Sequence, residues 1–258
     1  MRDPEHSMNP ILRFLAAATV ASVFFMSNSR AQSPVGTAVA IVQKRSASAT
    51  GHAGSTIAYV YDVASGTATP ESVPGDEVTL PNIGEAPLNP VLLEVPVRPG
   101  RRSFAKIVFD NGSGGFCSAT AIGRRTFITA GHCVFDRDAS PRAFKKSAIV
   151  YPGYSLGYSK DQFKARRFVA FNGWTSSGDY AHDIALVEVD TDLPSDIVPF
   201  VLSSDAYACG PNGAFDRHYY KSGSDEQLRI NAPHIGCQSN QYFWSLGTFK
   251  GASGSAAC

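Results

Sequence analysis

From Ser103 onward the apolar positions come in short runs separated by turn-forming residues. "SFAKIVFD" alternates toward Asn111-Gly112, a dipeptide whose two residues tolerate positive φ and which marks a hairpin. "FCSATAIG" runs on to Arg124-Arg125, a second turn, and "TFITA" follows it. "SAIVYPGY", "KARRFVAFNGW" and "DIALVEVD" are further predicted strands. No helical period persists for more than about two turns. Short strands at this turn spacing predict an all-β barrel or sandwich. "TDLPSDIVPF" carries two prolines and reads as a linker between two halves, with the boundary near 191–205.

Upstream the pattern changes. Residues 32–102 are rich in Ala, Ser, Thr, Gly, Val and Pro and hold no cysteine. "SASATGHAGST" and "SGTATPESVPG" read as flexible low-complexity stretches, and "STIAYVYDV" is the one run with strand character. The segment reads as a propeptide, with a disordered spacer as the alternative. Arg101-Arg102 is a candidate cut, as are positions near Val78 and Asn82. Ahead of it, Arg2 and Arg13 precede an apolar run from Phe14 to Met26, and Ser29 and Ala31 fit the small-residue positions of a signal-peptidase site. That run is too short for a bilayer span. Residues 1–31 are therefore expected to be a signal peptide cleaved after Ala31, leaving a secreted protein, extracellular or periplasmic, with no membrane attachment.

Composition narrows the class. A 258-residue chain with 43% hydrophobic and 17% charged residues reads as globular, with one large or two small domains. A net charge of +1 gives no electrostatic case for nucleic acid. Lys164, Arg166 and Arg167 form the one basic group and read as the solvent face of a strand. Cys117, Cys133, Cys209, Cys237 and Cys258 in an exported chain predict disulfides, with one thiol left over.

Three short stretches carry candidate chemistry. In "CSATAIGRRTFITAGHCVF", His132 follows a strand and two small residues, and a bridge between Cys117 and Cys133 would staple its turn to the preceding strand. In "AHDIALVEV", Asp183 stands at the entrance to an apolar strand, where a partly buried carboxylate can accept a hydrogen bond from a ring N–H. In "GASGS", Gly251 lets the backbone turn so that its N–H and that of Ser253 can point at one oxygen, as a developing oxyanion requires. A serine hydroxyl needs a base and the base needs an orienter, and the chain supplies His132, Asp183 and Ser253. A metal site on Cys117, His132, Cys133 and His182 is the chemical rival, but adjacent ligands fit one ion poorly and no CxxC pair exists. No metal and no cofactor are expected.

In combination these motifs resemble the chymotrypsin-like serine peptidases, most closely their bacterial glutamyl endopeptidase-like branch. The resemblance rests on "TAGHC" at 129–133, "HDIALVEV" at 182–189 and "GASGS" at 251–255, and covers about residues 103–258. It implies two six-stranded β-barrels with a catalytic His132–Asp183–Ser253 triad between them, an oxyanion hole at Gly251 and Ser253, and a Cys117–Cys133 disulfide. It further implies a monomer acting on protein or peptide substrates, with Thr248 at the branch's pocket threonine. Three departures stand out. Ala252 replaces the aspartate that binds a newly cut N-terminus in the animal digestive enzymes, so activation by that insertion does not carry over. Ala256 stands where proline is usual. Only five residues follow Ser253, so the second barrel is expected to be C-terminally incomplete. Cys258 is expected to bridge to Cys209 or Cys237. The alternative function is a catalytically silent secreted domain that keeps the scaffold.

Overall fold

The computed structural model describes residues 56–73, 95–200, 214–233, 236–238, 241–243 and 251–255. In chain order the strands are β1 (Thr56–Asp62), β2 (Thr67–Val73), β3 (Val95–Val97), β4 (Phe104–Phe109), β5 (Phe116–Ala121), β6 (Thr126–Thr129), β7 (Phe135–Asp136), β8 (Ala143–Phe144), β9 (Ala148–Pro152), β10 (Phe163–Phe171), β11 (Ala185–Val189), β12 (Ala214–Tyr219), β13 (Gln227–Pro233), β14 (Gly236–Gln238) and β15 (Gln241–Phe243). Among the described residues no helix is long and apolar enough to cross a membrane. The expected signal peptide, the cut sites near Val78 and Asn82, Cys209 and Cys258 all lie outside the described residues.

Six antiparallel strands close the first barrel in the order β11-β6-β5-β4-β9-β10, with β10 pairing back onto β11. The predicted alternation is visible where one face meets solvent: β9 is buried at every second residue. β6 and β11 are buried throughout, which explains why "DIALVEV" reads as a continuous apolar run. One face of these strands sends Phe127 and Val187 into the barrel, alongside Ile107, Phe109, Val150 and Phe168. The other face sends Ile128 and Leu186 outward, where they pack with Val169 beneath Ala58 and Val60 of β1.

That outer cover comes from the segment expected to be a propeptide. β1 pairs with residues 167–171 of β10, where β9 has already left the β10 edge, and β2 pairs with β1. The stack of Tyr61 on Phe144 and Phe168 and the ion pair of Arg167 with Asp62 hold the hairpin in place. β2 falls in a stretch that reads as flexible. It is an edge strand, mostly exposed, and carries Pro70, so its own residues give little strand signal. Of the basic group, Lys164 and Arg166 are exposed as expected, whereas Arg167 also pairs with Glu188.

The second half contains the three-stranded sheet β12-β13-β3 and the β14–β15 hairpin. It meets the first barrel through Phe104, whose ring stacks on His218 at 4.2 Å and contacts Phe200. Gln227 bridges further, accepting from the Arg101 amide and donating to the Arg101 carbonyl and the Tyr220 hydroxyl. Arg102 of the candidate dibasic cut is ion-paired to Asp161 and Asp196.

Candidate active site

The strand β6 ends at Thr129 and the chain turns immediately into a single helical turn, α1 (Gly131–Val134). A Cβ on Gly131 would stand 2.9 Å from the Trp174 ring and 3.0 Å from the Asp183 carboxylate, so only glycine admits this approach. The next residue is His132. Cys133 is disulfide-bonded to Cys117 of β5, tying the turn to the neighbouring strand. The two sulfurs and a ring nitrogen of His132 lie within 4.8 Å of one another. Each sulfur is bonded to the other, so neither is the thiolate a metal ion takes.

Asp183 follows a 3-10 turn (Tyr180–His182) and precedes β11, which pairs with β6. Strand pairing therefore brings it beside the end of β6 and the start of α1. One carboxylate oxygen accepts from the His132 backbone N–H at 2.7 Å, and the other lies 2.7 Å from His132 Nδ1. A carboxylate can only accept, so the proton sits on Nδ1 and Nε2 is left with a free lone pair. Asp183 is 1% exposed, whereas 28% of the His132 side chain is open to solvent. Burial alone pushes the imidazole's pKa down; the Asp183 charge and hydrogen bond together outweigh it and raise the pKa above the ordinary 6.5. Trp174, on a π-helical turn (Gly173–Ser177), sets its ring edge-on to His132 at 6.0 Å and carries the Arg137 guanidinium over it.

The Ser253 loop is held from both halves of the molecule. Ser118 of β5 is the centre of this arrangement. Its hydroxyl donates to the Gly251 carbonyl at 3.0 Å, and its N–H donates to the Ser253 carbonyl at 2.8 Å. The Ser118 hydroxyl in turn accepts from the Tyr220 N–H, and the Ser118 carbonyl accepts from Thr129 Oγ1. From the second half, Arg217 of β12 donates to Ser255 Oγ at 2.6 Å and to the Ala252 carbonyl at 3.3 Å.

Gly251 and Gly254 have φ of +92° and +77°, in the left-handed region. A Cβ on Gly251 would strike the Phe116 ring at 2.1 Å, and one on Gly254 would meet the Ser118 carbonyl at 2.3 Å and the Ala130 nitrogen at 2.9 Å. The loop thus lies directly on the strand end that leads into His132. Ser253 itself is 8% exposed. Among the described residues its hydroxyl makes no hydrogen bond, so Oγ is not joined to Nε2.

The structure therefore hydrogen-bonds His132 to Asp183 and lays the Gly251–Ser255 loop against Ser118, Thr129 and Ala130 at the end of β6. Thr248 lies outside the described residues. Sequence reasoning missed Ser118, Trp174 and Arg217. Ser118 is adjacent to Cys117, which gave a local cue; "FDRHYY" around Arg217 has no pattern that marks it.

The family profile described as Trypsin matches residues 96–233, more than half of the chain. The chain belongs to the trypsin family of serine peptidases. Among proteins similar to this trypsin-family chain is the glutamyl endopeptidase of Bacillus licheniformis, 25% identical over 154 residues, which are 59% of this chain and 48% of that protein. The chain spans about half the length of this curated relative. A solved Glu endopeptidase in complex with MPD is 22% identical and covers 64% of this chain and 78% of its own, with a TM-score of 0.56. Human heparin binding protein is 16% identical over 65% of this chain and 80% of its own, with a TM-score of 0.50. These two likenesses concern the fold, and with the closed six-stranded barrel they make it chymotrypsin-like.

Proposed function

We propose that this chain is a secreted serine endopeptidase that cleaves proteins or peptides through His132, Asp183 and Ser253. The observation that carries the reading is the Asp183 carboxylate, which grips both the backbone N–H and the ring of His132 and leaves Nε2 as the base. In this mechanism Nε2 takes the Ser253 hydroxyl proton as Oγ bonds to the scissile carbonyl carbon. The resulting oxyanion is met by the Gly251 and Ser253 N–H groups. Collapse breaks the carbon–nitrogen bond, and the imidazolium passes its proton to the leaving amine. A water molecule then repeats the sequence on the acyl-enzyme and restores the serine. Asp183 keeps the proton on Nδ1 throughout and stabilises the imidazolium.

Export rests on the charged and apolar pattern of residues 1–31, and a preference for glutamyl bonds rests on the curated relative's name. A fluorophosphonate probe tests the chemistry, read by intact mass on the purified chain. The expected result is a single adduct, lost in Ser253→Ala while the melting temperature is retained. A folded chain that takes no adduct, or an adduct that persists in Ser253→Ala, overturns the proposal. The first of these outcomes is the one a catalytically silent domain would give.

A further inference from the structure

Carbonyls of three consecutive residues, Gly251, Ala252 and Ser253, point into the protein and each meets a donor. Two of the donors belong to Ser118. The third is Arg217, whose Nη2 donates to the Ala252 carbonyl while its Nε donates to Ser255 Oγ, so that one guanidinium spans the loop on either side of Ser253. The Ser255 N–H adds a second contact to the same Ala252 carbonyl at 3.2 Å. A trans peptide sets each carbonyl opposite the following N–H. Holding the Ala252 carbonyl inward therefore aims the Ser253 N–H outward, away from Arg217.

We infer that Arg217 is a positioning residue that orients and polarises the Ala252–Ser253 peptide, so that the Ser253 N–H is preset as an oxyanion donor. This rests on the proposed peptidase mechanism. Two features favour a role beyond packing. Arg217 is buried to 4% exposure, and burying a guanidinium is costly compared with burying an apolar side chain of similar size. Its hydrogen bond to a carbonyl is charge-assisted, which draws electron density from that amide and makes the amide N–H a stronger donor. Burial pushes the guanidinium's pKa down to about 10, so it keeps its charge at neutral pH. Ala252 has no carboxylate with which to recruit a cation from elsewhere in the chain, and Arg217 places one against its carbonyl from within the fold.

The test compares Arg217→Met, Arg217→Lys and Ser255→Ala with the wild type by three readouts. These are the second-order rate of fluorophosphonate labelling, the labelling stoichiometry at completion, and hydrogen exchange of the amides at 251–255. Stoichiometry reports the folded, competent fraction; the rate reports activation per competent site. Arg217→Met is expected to slow labelling by about a hundredfold or more, the scale for losing one oxyanion donor. It should do so with full stoichiometry. Arg217→Lys keeps the charge but not the fork, and should recover at least part of the rate. Ser255→Ala frees only the Nε anchor and should slow labelling by a smaller factor.

A merely structural role would lower stoichiometry and leave the rate per labelled site unchanged, which overturns the inference. If Arg217→Met does not fold, unchanged rates in both Arg217→Lys and Ser255→Ala overturn it equally. If the wild type takes no label, the peptidase reading fails by itself. Exchange then decides the positioning claim: amides at 251–255 that exchange no faster in the variants than in the wild type would end it.

Discussion

Replacing Asp183 by asparagine changes one atom and should expose most of the site's logic. Both carboxylate oxygens are committed, one to the His132 N–H and one to the ring, each at 2.7 Å. Asparagine keeps a single acceptor and turns the other position into a donor. If its oxygen faces the ring, its NH2 opposes the backbone N–H, and a buried hydrogen bond is lost at a cost of about 1–3 kcal/mol. If its oxygen stays on the backbone N–H, the NH2 donates to Nδ1 and the ring proton moves to Nε2. The second arrangement satisfies every group and removes the base. Labelling of Ser253 should then fall by about 10⁴, or roughly 5.5 kcal/mol at 1.36 kcal/mol per decade.

The pH dependence follows with a definite sign. In the wild type Asp183 holds the imidazole's pKa above 6.5 against burial, so labelling should rise as pH climbs through that elevated value and the base becomes neutral. A group whose pKa is raised on folding adds stability below its unfolded pKa and loses it as pH passes the folded one. Without the carboxylate only burial remains, and the midpoint should move below that of the wild type. The melting-temperature gap between wild type and Asp183→Asn should therefore be wider at about pH 5 than at about pH 8. Labelling rates across pH, with melts at both ends, supply the measurement. A variant that labels within tenfold of wild type, or keeps its midpoint, would refute the reasoning.

Two further outcomes test the scaffold. Removing the Cys117–Cys133 bridge by a double alanine substitution should cost about 3 kcal/mol for a loop of this length, and should also slow labelling because the His132 turn is freed. Denaturant unfolding checks the first part, and a loss well under 1 kcal/mol would contradict it. Deleting residues up to the end of β2 should uncover Ile128, Val169 and Leu186 and strip the pairing from the second half of β10. A loss of at least about 3 kcal/mol is expected from the apolar area alone, read as a lower melting temperature with increased binding of an apolar dye; a truncated chain that melts like the full one would show the hairpin to be dispensable.

Legibility in the sequence tracked how local the physical cause was. β4, β5, β6, β9 and β11 fall within runs that read as strands, and β10 begins one residue before its run, because an apolar run bounded by turn residues determines a strand locally. The histidine turn was legible for the same reason: Gly131 and the Cys117–Cys133 pair sit within one short stretch. Asp183 could be nominated from the entrance to β11, but its two hydrogen bonds to His132 depend on β11 pairing with β6, a contact across about fifty residues of chain. β2 escaped because its order comes from β1, and β1's comes from the exposed edge of β10. Asn111-Gly112 marked a turn correctly, yet the turn is a 3-10 turn beginning at Asp110, itself at φ +48°, because the Asp110 carboxylate caps the Lys146 and Ser147 amides.

Arg217 shows most clearly why part of the site stayed hidden. A local motif can say that "GASGS" is able to turn, since glycine at 251 and 254 permits positive φ. It cannot say which way the three intervening carbonyls face, because that is decided by donors 133 residues away at Ser118 and 35 residues away at Arg217. Those donors lie on strands of the two different halves. The loop that carries Ser253 is therefore held in its orientation by both halves at once. A chain in which either half is loosened should lose labelling before it loses strand content, and Arg217→Met, which removes the second half's direct hydrogen bonds to the loop while leaving the Tyr220–Ser118 bond in place, tests that coupling.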